Sequence, residues 1–285
     1  VEKEPKGSAA IPPSVRRVAL GEDWLAVHER GEGEPVVLLH SGGFSARQWR
    51  KLVDVLSVTH RVSTPDLLGY GASSPWPVGA AFHPRQDLAA LEALLDGLAA
   101  PAHVVGHSYG GLLALKLALS RRHGVRSLAL FEPVAFGVLD EPADAEARAA
   151  IGLVLGDYRP DAQGGDDVWL GKFVDWWNGP GTWNALGEEV RASFRAVGWK
   201  VFQEVLSIGA DRTSRSTFAT ITVPTLILGG ERTPSTEKRV IEKLAAALPN
   251  ATLKVFAEMG HMGPITHAAI VNGAIAAHIR TNSGA

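Results

Sequence analysis

The chain has 285 residues, 28 Lys+Arg against 30 Asp+Glu for a formal net charge of −2, 46% hydrophobic residues and no cysteine. That length allows one large α/β domain or two modest ones with a sizeable buried core, and the apolar share excludes disorder as the main state. The even charge balance leaves no overall field for nucleic acid or an anionic membrane, and the lack of cysteine excludes disulfides, thiolate catalysis and Cys-ligated metal, which favours chemistry on a small-molecule substrate.

Val1 to Pro13 is rich in Lys, Glu, Pro and Ala and lacks the apolar core of a secretory signal. Residues 1–13 therefore read as a flexible arm, and a cytoplasmic location is expected. Short β-branched or Leu-rich runs, continuous rather than alternating, come next, at Pro35–Leu39, Arg61–Thr64, Ala102–Val105, Ser127–Phe131, Thr225–Leu228 and Thr252–Phe256. Such runs predict strands covered on both faces. Between them, Gln86–Leu98, Gly110–Arg121 and Thr236–Leu248 carry Ala/Leu-rich helical spacing. The alternation predicts an α/β fold with a doubly wound, mostly parallel sheet. No stretch reaches the roughly 18 to 20 apolar residues of a membrane helix; the longest, Leu112–Leu119, is interrupted by Lys116.

The alternation stops between Val134 and about Thr220, where Gly/Pro/Asp-rich turns separate helical pieces. The expected organisation is a core of residues 14–133 and 221–285 with a helical lid, residues 134–220, inserted after the sixth strand. Within it Val190, Phe194, Val197, Val201 and Val205 recur on one helical face. Five of the eight tryptophans also fall here: Trp169, Trp176, Trp177, Trp183 and Trp199. Single tryptophans of this kind mostly pack a lid onto a core; as a group they suggest an apolar pocket wall, with Trp176 and Trp183 the candidates for contact with substrate.

The strongest chemical signal is His103-Val104-Val105 running into Gly106-His107-Ser108-Tyr109-Gly110-Gly111 and then a Leu/Ala helix. This is G-x-S-x-G between a strand and a helix, where a serine on a strained turn needs small neighbours. The turn aims Ser108 at the carboxyl end of the sheet and places the Tyr109 N–H at a helix N-terminus, where an oxyanion can be held.

With these residues the chain is similar to the α/β-hydrolase superfamily, over nearly everything from about Arg17 to Ile279. Val36-Val37-Leu38-Leu39-His40-Ser41-Gly42-Gly43 resembles that family's strand and His-Gly oxyanion loop, with Ser41 in place of the usual glycine. The resemblance implies a second oxyanion N–H from this loop, most simply Gly42, with Gly43 or Phe44 as alternatives. Pro65 to Ser73 is similar to the turn in which Asp66 is structural.

A serine alcohol needs a base and a carboxylate to orient it. Of ten histidines, His261 comes after the last predicted strand in Met259-Gly260-His261-Met262, the Gly-His step in which the family carries its base. His40 reads as loop-shaping, His107 as too close to Ser108, and His267 as the start of the next helix. His103 and His107 lie on a strand and a turn, not one helical face, so no metal site is expected. The family commonly places its acid after the strand that here is Thr225–Leu228, yet Gly229-Gly230-Glu231-Arg232-Thr233 has threonine there. Glu132, at the end of the strand after the nucleophile's helix, is therefore assigned as the acid, with Glu231 the rival. This arrangement resembles haloalkane dehalogenases and zearalenone-type lactonases, and Trp183 to Arg191 loosely resembles the lactonase lid. The expectation is a serine hydrolase of an ester or lactone, using Ser108, Glu132 and His261 with Gly42 and Tyr109 as oxyanion donors. Gly43, Phe44, Trp176, Trp183 and Met262 are expected to bind a medium-sized apolar substrate. No cofactor, nucleic acid or membrane is expected, and the chain is read as a monomer or homodimer. A C–C bond hydrolase, perhydrolase or lyase on the same triad, or a slow ligand sensor, are the competing expectations.

Overall fold

In the computed structural model, which describes residues 14–140, 142–155 and 165–284, the apolar runs pair into one eight-stranded sheet. The predicted arm, residues 1–13, lies outside the described residues. The strands are β1 (Ser14–Leu20), β2 (Asp23–Arg30), β3 (Glu34–Leu39), β4 (His60–Pro65), β5 (Ala102–His107), β6 (Val125–Phe131), β7 (Thr225–Gly230) and β8 (Ala251–Phe256). Their spatial order is β1-β2-β4-β3-β5-β6-β7-β8. β1 pairs with β2, and β2 with β4, in antiparallel fashion; the remaining pairs are parallel. Every residue of β5 and β7 is buried, as their unbroken apolar character demands. β8 departs from that expectation, because as an edge strand it alternates partly covered and open positions.

Helices α1 (Arg50–Leu56), α2 (Arg85–Asp96), α3 (Tyr109–Ser120), α9 (Ser235–Ala247) and α11 (Ala268–Asn282) flank the sheet. Period-two alternation sorts the strand side chains between two cores. Val36, Leu38, Val105 and Phe131 pack with Leu52 of α1 and Val271, Ile275 and Ile279 of α11. Val37, Leu39, Val104 and Leu130 pack with Leu91 and Leu94 of α2, Leu112 and Leu115 of α3, and Leu244 of α9. Each of these fully covered side chains contributes about 1.5–3 kcal/mol relative to exposure.

Among the described residues, five α-helices separate β6 from β7: α4 (Ala145–Leu155), α5 (Asp167–Asn178), α6 (Thr182–Ala185), α7 (Glu188–Ala210) and α8 (Arg215–Phe218). Asp166 caps α5 by accepting the Trp169 N–H at 2.9 Å, and Glu188 and Glu189 favour the N-terminus of α7. A short helix α10 (Gly263–Thr266) precedes α11.

The register decides what meets at the carboxyl edge. Leu39 pairs with Gly106, His107 with Phe131 and Phe131 with Leu228. The residues that next leave β3, β5 and β6, which are His40, Ser108 and Glu132, therefore emerge at one rim, beside Gly229 near the end of β7. Among the described residues, no helix is long and apolar enough to cross a membrane.

Candidate active site

Ser108 sits between β5 and α3 at φ 54°, ψ −116°, a backbone conformation that L-residues rarely hold. The glycines make it possible. A Cβ on Gly106 would lie 2.4 Å from the Gly110 carbonyl oxygen, and one on Gly110 would lie 2.4 Å from the Leu39 oxygen. The Ser108 N–H donates to the Phe131 oxygen at 3.0 Å, locking the turn to the end of β6.

Glu132 is the second strained residue of this rim, at φ 45°. Its side chain is fully buried and accepts three hydrogen bonds. His261 Nδ1 lies 2.6 Å from Oε2, the Thr233 hydroxyl donates to Oε2 at 2.7 Å, and the Gly230 N–H donates to Oε1 at 2.7 Å. Thr233, at the position where an acid is expected after β7, thus donates to the carboxylate that leaves the neighbouring strand. Glu231 is exposed and takes no part. Behind Glu132, Glu237 of α9 is buried with both carboxylate oxygens unpartnered among the described residues; burial, reinforced by Glu132, pushes its carboxyl well above the usual range.

With Nδ1 engaged by Glu132, His261 keeps Nε2 for other use. Its ring is sandwiched between Trp177, stacked at 3.7 Å and 19°, and His107, at 4.9 Å and 47°. The His261 carbonyl accepts from His107 Nε2 at 2.9 Å, and Gln48 donates from Nε2 to His107 Nδ1 at 3.1 Å. Gln48 Oε1 in turn accepts the Ser41 N–H at 3.0 Å. His107 is therefore a strut between two loops, and burial, together with the neighbouring His261, lowers its pKa well below the ordinary value. His40 shapes its own loop, bonding Ser41 O through Nδ1 at 2.8 Å and accepting the Leu67 N–H through Nε2 at 3.0 Å. Burial lowers His40 to about 4. Asp66 is likewise structural, accepting the N–H groups of Ala46 and Ala72.

Ser108 and His261 open on one cavity of about 300 Å³. Among the described residues the Ser108 hydroxyl has no hydrogen-bond partner; bonds of this kind commonly tighten only when substrate is present. Apolar side chains dominate the wall, including Phe44, Trp176, Phe194 and Met262, and Gly42 and Tyr109 border it beside Ser108. Two expected residues lie outside the lining. Trp183 is buried behind Phe194, with ring centroids 6.1 Å apart, and lies against Gly171, where a Cβ would approach its indole to 3.3 Å. Gly43 turns its N–H to the Tyr70 hydroxyl at 3.2 Å. Trp177 takes the place expected of Trp183, since α5 points it at the base; its neighbour Trp176 carries the same local signal. The stripe Val190, Phe194, Val201 and Val205 of α7 faces the cavity.

Most amides of the Ser41–Phe44 loop are already engaged. Ser41 donates to Gln48, Gly43 to Tyr70, and Phe44 to the Ser41 oxygen at 3.2 Å. Among the described residues, the Gly42 N–H is the one in this stretch without an acceptor.

One wall residue belongs to no catalytic motif in the sequence. Glu204 of α7 borders the cavity and belongs to a buried cluster with Lys200, Asp87, Tyr70 and Tyr109. Burial, opposed by Lys200 and reinforced by Asp87, pushes the Glu204 carboxyl up to about 7. Its local pattern, Lys and Glu four apart on a helix, is that of a surface pair. At the opposite end of the strands, Glu34, His60 and His103 bring potential metal-ligating atoms within 4.8 Å of one another. Ser283 Oγ lies 3.2 Å from His60 Nε2 and 3.4 Å from His103 Nε2, knitting that end of the sheet to α11.

Residues 36–274 match the alpha/beta hydrolase family. The chain is 30% identical over 269 residues to the pimeloyl-(acyl-carrier protein) methyl ester esterase of Chromobacterium violaceum, covering 91% of this chain and 99% of that protein. Over 123 residues, 42% of this chain and 44% of the relative, it is 35% identical to the 2-hydroxy-6-oxo-2,4-heptadienoate hydrolase of Pseudomonas putida. A thermophilic esterase from Thermogutta terrifontis shares the fold, with a TM-score of 0.70 at 22% identity over 96% of this chain and all of that one.

Proposed function

The chain belongs to the alpha/beta hydrolase family, and from that premise we propose that it is a serine hydrolase that cleaves a carboxylic ester or lactone of a medium-sized, apolar small molecule. The observation that carries the reading is the buried His261–Glu132 bond of 2.6 Å on the same cavity as Ser108. The 30% identical esterase supports ester substrates.

In this reading Ser108 Oγ attacks the substrate carbonyl carbon while His261 Nε2 takes the hydroxyl proton, and Glu132 steadies the imidazolium. The oxyanion of the tetrahedral intermediate sits at the Gly42 and Tyr109 N–H groups. His261 returns the proton to the departing alkoxide, which leaves the acyl group on Ser108. Water, deprotonated by His261, then attacks the acyl carbon, and the proton passes back to Ser108 as the acid departs. Residues 134–220 act as a cap over the core of 14–133 and 221–285. Trp177 shields the imidazole from bulk water, while Trp176, Phe44 and Met262 grip the substrate. Every step uses groups of this chain, without a metal or organic cofactor.

The similarity to a heptadienoate hydrolase favours a second reading, hydrolysis of a C–C bond in a diketone-like substrate on the same residues. A panel of p-nitrophenyl esters, an aromatic lactone and a β-diketone separates the two. Ser108→Ala is expected to abolish both turnover and labelling by a fluorophosphonate probe. Labelling that survives at another serine overturns the assignment.

A further inference from the structure

Lys200 and Glu204 lie four residues apart on α7, so both project from one side of the helix. Both are buried, and so is their partner Asp87 of α2. Lys200 Nζ donates to Glu204 Oε1 at 2.6 Å and to Asp87 Oδ2 at 3.0 Å. The Tyr109 hydroxyl donates to Asp87 Oδ2 at 2.8 Å, and the Tyr70 hydroxyl to Glu204 Oε2 at 2.9 Å. Burying three charges is a weak route to stability, since desolvation offsets most of the attraction. The location suggests another purpose. Tyr70 also accepts the Gly43 N–H at 3.2 Å, so a side chain of the cap holds the Ser41–Phe44 loop through one intermediary. Glu204 Oε2 also presses on that loop directly: a Cβ on Gly42 would stand 2.6 Å from it and 3.9 Å from the Tyr109 Cβ. The carboxyl thus abuts Gly42, one of the two residues whose N–H groups are read as the oxyanion site.

We propose that Glu204 is a positioning residue: through Tyr70 it sets the Ser41–Phe44 loop for oxyanion binding when the cap is seated, and its ionisation opposes the negative charge that forms there. This inference rests on the serine-hydrolase reading and adds a control to it.

The charges around Glu204 fix the sign. Lys200 faces it from its own helix, Asp87 from α2, Tyr109 from α3 and Tyr70 from the loop after β4. His40, edge-on to Tyr70 at 5.3 Å, is kept neutral by burial. Lys200 also lies over the rings of Tyr70 at 4.9 Å and Phe82 at 3.7 Å. Burial raises both tyrosines well out of the neutral range. Glu204, pushed up to about 7, is then the member that changes charge near neutrality. When it is protonated, Lys200 and Asp87 cancel; when it ionises, one negative charge is left beside Gly42. Acylation therefore falls with rising pH as Glu204 ionises.

The test is the pH dependence of the acylation burst with p-nitrophenyl butyrate, from pH 5 to 9, on the full chain. The wild type is expected to lose on the order of 10- to 100-fold on the alkaline side, the scale of one charge about 6 to 12 Å from a developing oxyanion at an effective dielectric near 20. Glu204→Gln keeps a hydrogen-bonding group that cannot ionise, and is expected to hold a plateau through pH 9. Tyr70→Phe keeps the carboxyl and cuts the link to Gly43, and is expected to slow acylation at every pH while retaining the alkaline fall. A wild-type profile flat from pH 7 to 9, an alkaline fall that persists in Glu204→Gln, or a folded Tyr70→Phe with wild-type acylation overturns the proposal. Ser108→Ala run alongside separates the two levels. A burst that survives it defeats the hydrolase reading itself, whereas a burst lost there but indifferent to Glu204 defeats only the present inference.

Discussion

Exchanging Glu132 for glutamine removes one negative charge at nearly constant shape, and the neighbouring groups dictate the consequence. Oε1 faces a donor, the Gly230 N–H, and Oε2 faces the Thr233 hydroxyl and His261 Nδ1. Glutamine satisfies Gly230 only by turning its oxygen that way, which points the amide NH₂ at Nδ1. The imidazole must then accept at Nδ1 and carry its proton on Nε2, so the nitrogen needed to deprotonate Ser108 is blocked. The other flip sets an NH₂ against the Gly230 N–H in a fully buried site, an unsatisfied arrangement worth about 1–3 kcal/mol. Either way the imidazolium loses its counter-charge. The expected loss in kcat is on the order of 10⁴, the scale of the same exchange in other Ser-His-acid enzymes. Glu231→Gln, on an exposed side chain, is expected to stay within about twofold, as surface changes do. Steady-state kinetics on one p-nitrophenyl ester, with thermal melts to confirm folding, decides the matter. Glu132→Gln within tenfold of wild type, or Glu231→Gln matching its loss, refutes the reasoning.

The tryptophans should divide by position. Trp177→Ala, which removes the ring stacked on His261, is expected to slow a tiny acetate ester and a bulky ester alike, and Trp176→Ala to slow mainly the bulky one. Trp183→Ala is expected to lower stability by about 3–5 kcal/mol, the range for a large buried aromatic, with little change in the ratio of the two esters; a shifted ratio would put Trp183 back in the pocket. Glu237 gives a pH signature of stability. Because burial and Glu132 raise its folded pKa above the unfolded value near 4.5, the folded state binds the extra proton, and stability declines with rising pH from that value up to the folded pKa. The slope is about 1.4 kcal/mol per pH unit while the window lasts. Urea melts at pH 5 and pH 8 should show a smaller decline for Glu237→Gln than for the wild type, and equal declines would sink the assignment.

How much of the fold is legible in the chain depends on how local each constraint is. β3 through β7 are continuous apolar runs because helices or neighbouring strands cover both faces. β1 and β2 leave no such run, because an antiparallel edge mixes Arg16, Arg17 and Glu29 with its apolar residues, and its burial is partial. The turn at Ser108 is visible because steric demand on Gly106 and Gly110 acts within a few residues. The acid is visible by the sheet's own arithmetic: once β6 is placed beside β5, Glu132 has to leave it level with Ser108, and the threonine at 233 removes its competitor.

The wall of the pocket obeys a different rule. Which of Trp176, Trp177 and Trp183 reaches the cavity depends on how α5 and α6 roll against α7, an angle set by contacts between residues distant in the chain, such as Arg195 of α7 with Asp167 of α5. The Glu204 cluster is more distant still, since its bonds join residues 113 and 134 apart in the chain. One sign is nevertheless present. Lys200 and Glu204 are interleaved with Val201, Phe202 and Val205, so no orientation of that helix could bury the apolar side chains and leave both charges fully in water. A charged pair within a stripe that must be covered needs partners from another element. In a hydrolase fold the carboxyl edge of the sheet lies beneath the inserted segment. The pair therefore meets Asp87 and Tyr70, and through Asp87 the Tyr109 that follows the serine, which are groups no local pattern in α7 could name.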